Sequence, residues 1–181
     1  MRPLCVDLDG TLLEEDVTLV AAKIYMKRSF FNLLKMIFWI ARGGRAHLKH
    51  KLAQHVDLDT KRLNYNKELM EFILQRKTKG HKIFLATACN HVYARKVADY
   101  LGVFDGVFAS NDRINLRARA KARTLTTVFG KRGFSYAGNS KDDILVWDES
   151  AECILVAPPE AVLKKMQRRN YLLFKERGKE K

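Results

Sequence analysis

At 181 residues and 47% apolar content, the chain is long enough for one packed domain and too apolar to be disordered. Three cysteines (Cys5, Cys89 and Cys153) are too few, and odd in number, for a disulfide framework. The net charge of +14 implies anionic partners. Two readings of it stand: solvation together with attraction of a phosphorylated substrate, or contact with an anionic membrane surface. Nucleic acid is disfavoured, since the sequence carries no zinc-ligand spacing, helix-turn-helix signature or aromatic RNA motif.

The first predicted element is an apolar strand over residues 4–8, running into Asp9, Gly10 and Thr11. Side chains alternate faces along a strand, so Asp7 and Asp9 project to the same side. Gly10 permits a sharp turn that leaves both acids at the carboxyl end of the strand, where open α/β sheets bind ligands. Like charges so close need a cation or a proton to offset them. Mg²⁺, which takes one or two carboxylates together with phosphate oxygens, suits the pair. A strand this near Met1, carrying two acids, is not a signal peptide. The expected location is therefore cytoplasmic, with attachment at the inner membrane face as a further option.

Residues 14–63 contain no convincing strand and read as helices over 18–42 and 47–53, with a third helix following at 65–79. Gly43 and Gly44 break the first, and the stretch Asp57, Leu58, Asp59, Thr60 marks a turn before the third. The apolar segment 30–41 falls far short of the roughly 20 residues that span a bilayer, and Lys35 interrupts it. Its apolar face holds Phe30, Phe31, Leu34, Ile37, Phe38 and Trp39. Packing between helices accounts for that face better than lipid contact.

Further strands are expected at 82–86, 106–109, 134–137 and 152–156, separated by helices over 91–101 and 121–129. Short apolar strands joined by crossover helices imply a parallel sheet covered on both faces. Cys5 and Cys153 lie in these apolar runs and read as small buried hydrophobes. Cys89 has no visible activating partner. From Lys164 to Lys181 the chain is a basic tail.

Asp7-Leu8-Asp9-Gly10-Thr11 resembles the first motif of the haloacid dehalogenase superfamily, most of whose members are phosphatases with an aspartate nucleophile. Three further motifs follow in the expected order. Thr87 and Ala88, ending the strand at 82–86, resemble the second motif. Lys121, at the start of a helix, resembles the third. Gly138-Asn139-Ser140-Lys141-Asp142-Asp143 resembles the fourth, Gly-Asp-x-x-x-Asp. The resemblance implies a Rossmann-like α/β core of residues 1–13 and 64–181, with a small helical cap, 14–63, inserted after the first strand.

The resemblance also implies roles. Asp7 is the nucleophile, forming an aspartyl-phosphate intermediate. Asp9 is the general acid and then the base that activates water. Thr87, the amide of Ala88, Thr11 and Lys121 hold the phosphate, Lys121 as a fixed positive charge. The expected Mg²⁺ ligands are Asp7, the backbone carbonyl of Asp9, and Asn139 or Asp143. Asn139 departs from the motif, which usually has an aspartate there, and an amide oxygen brings no charge. The alternative function is therefore a weak or inactive module that binds phosphate or metal beside a membrane enzyme. The string formed by Asn115-Leu116, Lys121-Ala122 and Phe129 to Ser140 is similar to the soluble domain fused ahead of some UbiA-type prenyltransferases. That likeness implies a prenyl-linked or other lipid-linked phosphate as substrate.

Overall fold

Short apolar runs pair here into a single parallel sheet. The computed structural model describes residues 1–111 and 114–175, so the last six residues of the basic tail lie outside the described residues. The strands are β1 (Leu4–Val6), β2 (Ile83–Asn90), β3 (Gly106–Ser110), β4 (Ser135–Gly138), β5 (Glu152–Val156) and β6 (Tyr171–Phe174). They lie in the order β3-β2-β1-β4-β5-β6, with every neighbouring pair parallel. β1 is flanked by β2 on one side and β4 on the other, so strand order reverses beside it. This reversal is the switch point at which open α/β sheets leave a crevice.

Alternation along the strands divides the core in two. Leu4, Val6, Ile154 and Val156 face a cluster with α1 (Val17–Arg28), α3 (Lys67–Thr78) and α4 (His91–Leu101). Cys5, Tyr136, Cys153 and Leu155 face the other, with α5 (Arg119–Phe129), α6 (Ile144–Trp147) and α7 (Glu160–Met166). The three cysteines are free and buried. Burial pushes the Cys89 thiol well above its ordinary value, which leaves it unreactive.

The sheet edge and the first helix differ from the sequence expectation. β6 extends the sheet edge within what reads as a basic tail, because four apolar residues suffice for an edge strand beside β5. The helix expected over 18–42 is split at Ser29, whose hydroxyl accepts the Phe31 N–H at 3.3 Å, so α1 ends there and α2 (Phe31–His55) begins.

The expected break at Gly43 and Gly44 is present inside α2: both have non-helical backbone, and Gly44 has φ +66°, which favours glycine. Its consequence is a reversal of direction. Trp39 and His55 would stand about 24 Å apart along a straight helix, yet their rings are 5.1 Å apart. Tyr25 of α1 stacks on Trp39 at 5.3 Å, closing a bundle of three helical segments. The returning segment is tied to α4 by the Tyr93 hydroxyl, 2.9 Å from the Leu52 carbonyl, and by an ion pair between Lys96 and Asp57 just beyond it. Against expectation, Phe30, Phe31, Leu34, Ile37 and Phe38 do not pack within this bundle. Only Asn32 and Met36 of that segment are buried, with Trp39 half-buried. Among the described residues no helix is long and apolar enough to cross a membrane.

The entry to β2 is fastened by Asp105, whose carboxylate accepts the Ile83 N–H at 2.8 Å and pairs with Lys77 at 3.1 Å. The Ile83 hydrogen bond, with help from Lys77 and Lys82, holds that carboxyl below its ordinary range. A depressed carboxyl stabilises the fold above its unfolded pKa, and the effect is lost as pH falls through the folded value. Asp105→Ala is expected to cost about 1–2 kcal/mol at neutral pH. Denaturant unfolding of both proteins should show that deficit shrinking below about pH 4.

Candidate active site

Asp7 continues β1 by one residue: its N–H reaches the Ala137 carbonyl at 2.9 Å. The chain then closes a tight loop, with the Leu12 and Leu13 N–H groups on the carbonyls of Asp7 and Leu8. Gly10 is the hinge of this loop, at φ +70°. Any side chain there would meet Asn139, since a Cβ would lie 2.3 Å from its Nδ2. The first and fourth motifs are thus pressed together.

Lys121, in the first turn of α5, is buried, with Nζ 3.0 Å from Asp7 Oδ1 and 3.4 Å from Asp143 Oδ1. It also donates to the Tyr136 hydroxyl at 2.7 Å, which in turn donates to Asp143 Oδ1 at 2.6 Å. Burial disfavours the ammonium, but the charges of Asp7 and Asp143 outweigh it and raise the lysine pKa, so the cation persists at neutral pH. Burial raises the Asp7 carboxyl above the ordinary carboxylate range, with the Lys121 ammonium pulling the other way. Oδ1 of Asp7 also accepts the Leu8 N–H at 2.9 Å, whereas Oδ2 has no partner among the described residues.

Asp9 occupies a different setting. Its Oδ1 accepts the N–H of Val17, the first residue of α1, at 2.8 Å. Burial, and then the negative charge of Asp16, push its carboxyl up to about 7. Such a group gives and takes protons near neutrality. Two carboxyls two residues apart are thereby differentiated: one held against a lysine, the other tied to the start of the helical segment.

A cleft of about 520 Å³ opens over this end of the sheet, and Asp7, Asp9, Ala88, Lys121, Asn139 and Asp143 all line it. The strand register between β2 and β3 shifts between Ala86 and Asn90, the stretch that holds Ala88. Two expected phosphate-binding residues are not brought to the cleft. Thr87 is fully buried and its hydroxyl accepts the Cys89 N–H at 2.9 Å. Thr11 is buried, with no hydrogen-bond partner for its hydroxyl among the described residues. Asp143, expected as a metal ligand, is instead saturated. Besides the two donors on Oδ1, its Oδ2 accepts from the N–H groups of Asn139 and Ser140 and from the Ser140 hydroxyl. Those bonds and Lys121 outweigh burial and keep it ionised, below the ordinary range. It anchors the fourth-motif loop and Lys121. Of the expected ligands, that leaves Asp7 through Oδ2, the Asp9 carbonyl and the Asn139 amide for a cation.

Several contributors carry little sequence signal. Tyr136 reads as an ordinary strand aromatic and only the fold shows it bridging Lys121 and Asp143. Arg45 and Lys49 come from α2 and line the opposite wall of the cleft. Lys49 Nζ donates to the Ala88 carbonyl at 2.9 Å. They are two cations among many in the sequence, and only the reversal at Gly43 and Gly44 brings them over the sheet.

A family model for haloacid dehalogenase-like hydrolases matches residues 4–145. The uncharacterized protein y4nM of Sinorhizobium fredii (strain NBRC 101917 / NGR234) is 31% identical over 157 residues, covering 85% of this chain. The chain spans 30% of that relative's length. A protein of unknown function from Bordetella pertussis Tohama I has the same fold, with a TM-score of 0.74 at 15% identity, covering 96% of this chain and 97% of that one. Phosphoserine phosphatase in its apo form is also similar, with a TM-score of 0.68 at 16% identity over 97% of this chain and 94% of that one.

Removing the Tyr136 hydroxyl strips one donor from Asp143 and one acceptor from Lys121 in a fully buried network. Tyr136→Phe is expected to lower stability by about 1–3 kcal/mol, measured by denaturant unfolding. An unchanged midpoint would show that the hydroxyl does not support the pair.

Proposed function

Because the chain belongs to the haloacid dehalogenase-like hydrolase family, we propose that it is a phosphomonoester hydrolase working through an aspartyl-phosphate. The observation that carries this reading is the pairing of a lysine-held carboxylate, Asp7, with a carboxyl near neutrality, Asp9, at one cleft. In the first step an oxygen of Asp7 attacks phosphorus, the bond to the leaving oxygen breaks, and Asp9 delivers its proton to that oxygen. In the second, Asp9 takes a proton from water as the water oxygen attacks phosphorus, and Asp7 departs as carboxylate. Lys121 offsets the charge gathered on Asp7 and the phosphoryl oxygens, where low dielectric makes a fixed cation effective.

The free donors fit Mg²⁺: one carboxylate oxygen, one carbonyl and one amide oxygen are all hard ligands, and Mg²⁺ keeps waters in its remaining positions. Asp7, the Asp9 carbonyl and Asn139 would hold it, and bound Mg²⁺ would supply neutralising charge to the phosphoryl group.

Residues 14–63 serve in this reading as a cap. Its contribution to the cleft includes Leu19, Ile40 and Leu48 beside Arg45 and Lys49. Residues 17–56 contain eight Lys and Arg and no Asp or Glu. That wall, which also includes Asp16, suits a phosphate on an apolar carrier through its apolar and basic side chains. The likeness to prenyltransferase-linked domains points the same way, to a prenyl- or lipid-linked phosphate.

Asn139 favours a second reading. With Asp143 saturated, the donor set carries the formal charge of Asp7 alone, as a binding module without turnover would tolerate. Hydrolysis of an aryl phosphate with and without Mg²⁺ separates the two. The enzyme should release phosphate in a Mg²⁺-dependent manner, and Asp7→Asn should reduce release to background with the fold intact by circular dichroism. Asn139→Asp should lower the Mg²⁺ concentration needed for half-maximal rate. Turnover surviving in Asp7→Asn would remove the nucleophile assignment.

A further inference from the structure

The first half of α2, with Phe30 just before it, turns one face away from the protein. Phe30 is 79% exposed, Phe31 68%, Phe38 57%, Leu34 56% and Ile37 55%. Their spacing places them along one stripe, since positions three, four and seven apart share a helix face. The opposite face already holds the contacts with α1: Met36 is buried, Trp39 stacks on Tyr25, and Asn32 Nδ2 donates to the Tyr25 carbonyl at 2.8 Å. The stripe is therefore not the core side of the helix.

Charge selects the occupant. Lys35 and Arg42 of the stripe's own segment, and Lys23 and Lys27 of the neighbouring α1, are exposed. The Arg42 guanidinium lies over the Phe38 ring, 6.0 Å from its centre. Across residues 17–56 no acid offsets the eight basic side chains. A second copy docking through this face would bring two uncompensated sets of cations together, which opposes a symmetric contact. Apart from Lys35, the exposed side chains over residues 30–41 have no hydrogen-bonding group. They offer apolar insertion without the polar contacts by which protein partners are specified. Exposed aromatic and aliphatic residues beside cations, on a helix too polar to span, match the surface of an anionic bilayer.

We propose that the stripe formed by Phe30, Phe31, Leu34, Ile37 and Phe38 inserts into the interfacial layer of an anionic lipid membrane, with Lys23, Lys27, Lys35 and Arg42 against the headgroups. The attachment is peripheral, and it does not depend on the chemistry assigned to the cleft.

Co-sedimentation with vesicles of phosphatidylcholine, with and without phosphatidylglycerol, tests this directly. The chain should sediment with the phosphatidylglycerol vesicles, and less so as salt rises. Phe31→Ser with Phe38→Ser should weaken binding about tenfold, and so should Lys27→Glu with Lys35→Glu. Melting curves should be unchanged in both, because these side chains are exposed. Absence of sedimentation would overturn the proposal, as would binding indifferent to the phenylalanine pair, which would be charge attraction alone. So would a dimer in sedimentation equilibrium that the phenylalanine substitutions abolish, since a second copy would then own the face. If the phenylalanine variant unfolds, the lysine variant decides: undiminished binding overturns the proposal.

Discussion

The candidate active site is built around one buried cation. Lys121 sits within 3.4 Å of two carboxylates, Asp7 and Asp143, and 2.7 Å from Tyr136, with nearly all of its side chain out of water. A buried ammonium without such partners would be driven to deprotonate, and two buried carboxylates without it would repel. Each member therefore makes the others tolerable. The network joins the end of β1, the start of α5, β4 and the loop after it, so the sheet's crevice and its charge pattern are set together.

The same network divides the labour among the acids. Asp143 has no lone pair to spare and serves position. Asp7 keeps one oxygen open toward the cleft. Asp9 is governed by burial and Asp16, outside direct contact with the lysine, and its bond to the Val17 N–H joins it to the helical segment. That bond links the proposed acid and base to the element forming the cleft's other wall, so movement of α1 would alter the environment of Asp9. Ile40 belongs both to the exposed apolar segment and to the cleft wall. Membrane attachment through α2 would thus set the cleft mouth near headgroups, where a phosphate on an apolar carrier presents itself.

Much of this was legible in the residues themselves. The alternation at Leu4, Cys5 and Val6, the pair Asp7 and Asp9, and Gly10 specify a strand end with two acids on one side, because strand periodicity and glycine's backbone freedom are local properties. The family resemblance placed Lys121 at the site, and Gly43 with Gly44 announced the break that folds α2 back. What the residues did not disclose depends on distant neighbours. Tyr136 becomes a bridge only because α5 and the loop after β4 meet beside it. Asp143 looks like a ligand in sequence, yet the amides of Asn139 and Ser140 consume its oxygens. Thr87 and Thr11 have suitable hydroxyls but lie buried off the cleft. The exposure of Phe31 and Phe38 was masked for a similar reason: periodicity shows that a helix has an apolar face, not whether the protein supplies anything to cover it.

The central claim is that Asp7 is phosphorylated during turnover. Borohydride reduction of acid-quenched enzyme, caught during turnover of an aryl phosphate, converts an acyl phosphate on aspartate to homoserine. Mass spectrometry should then find homoserine at position 7 and nowhere else. Phosphate release with unmodified Asp7, or homoserine at another residue, would contradict the account.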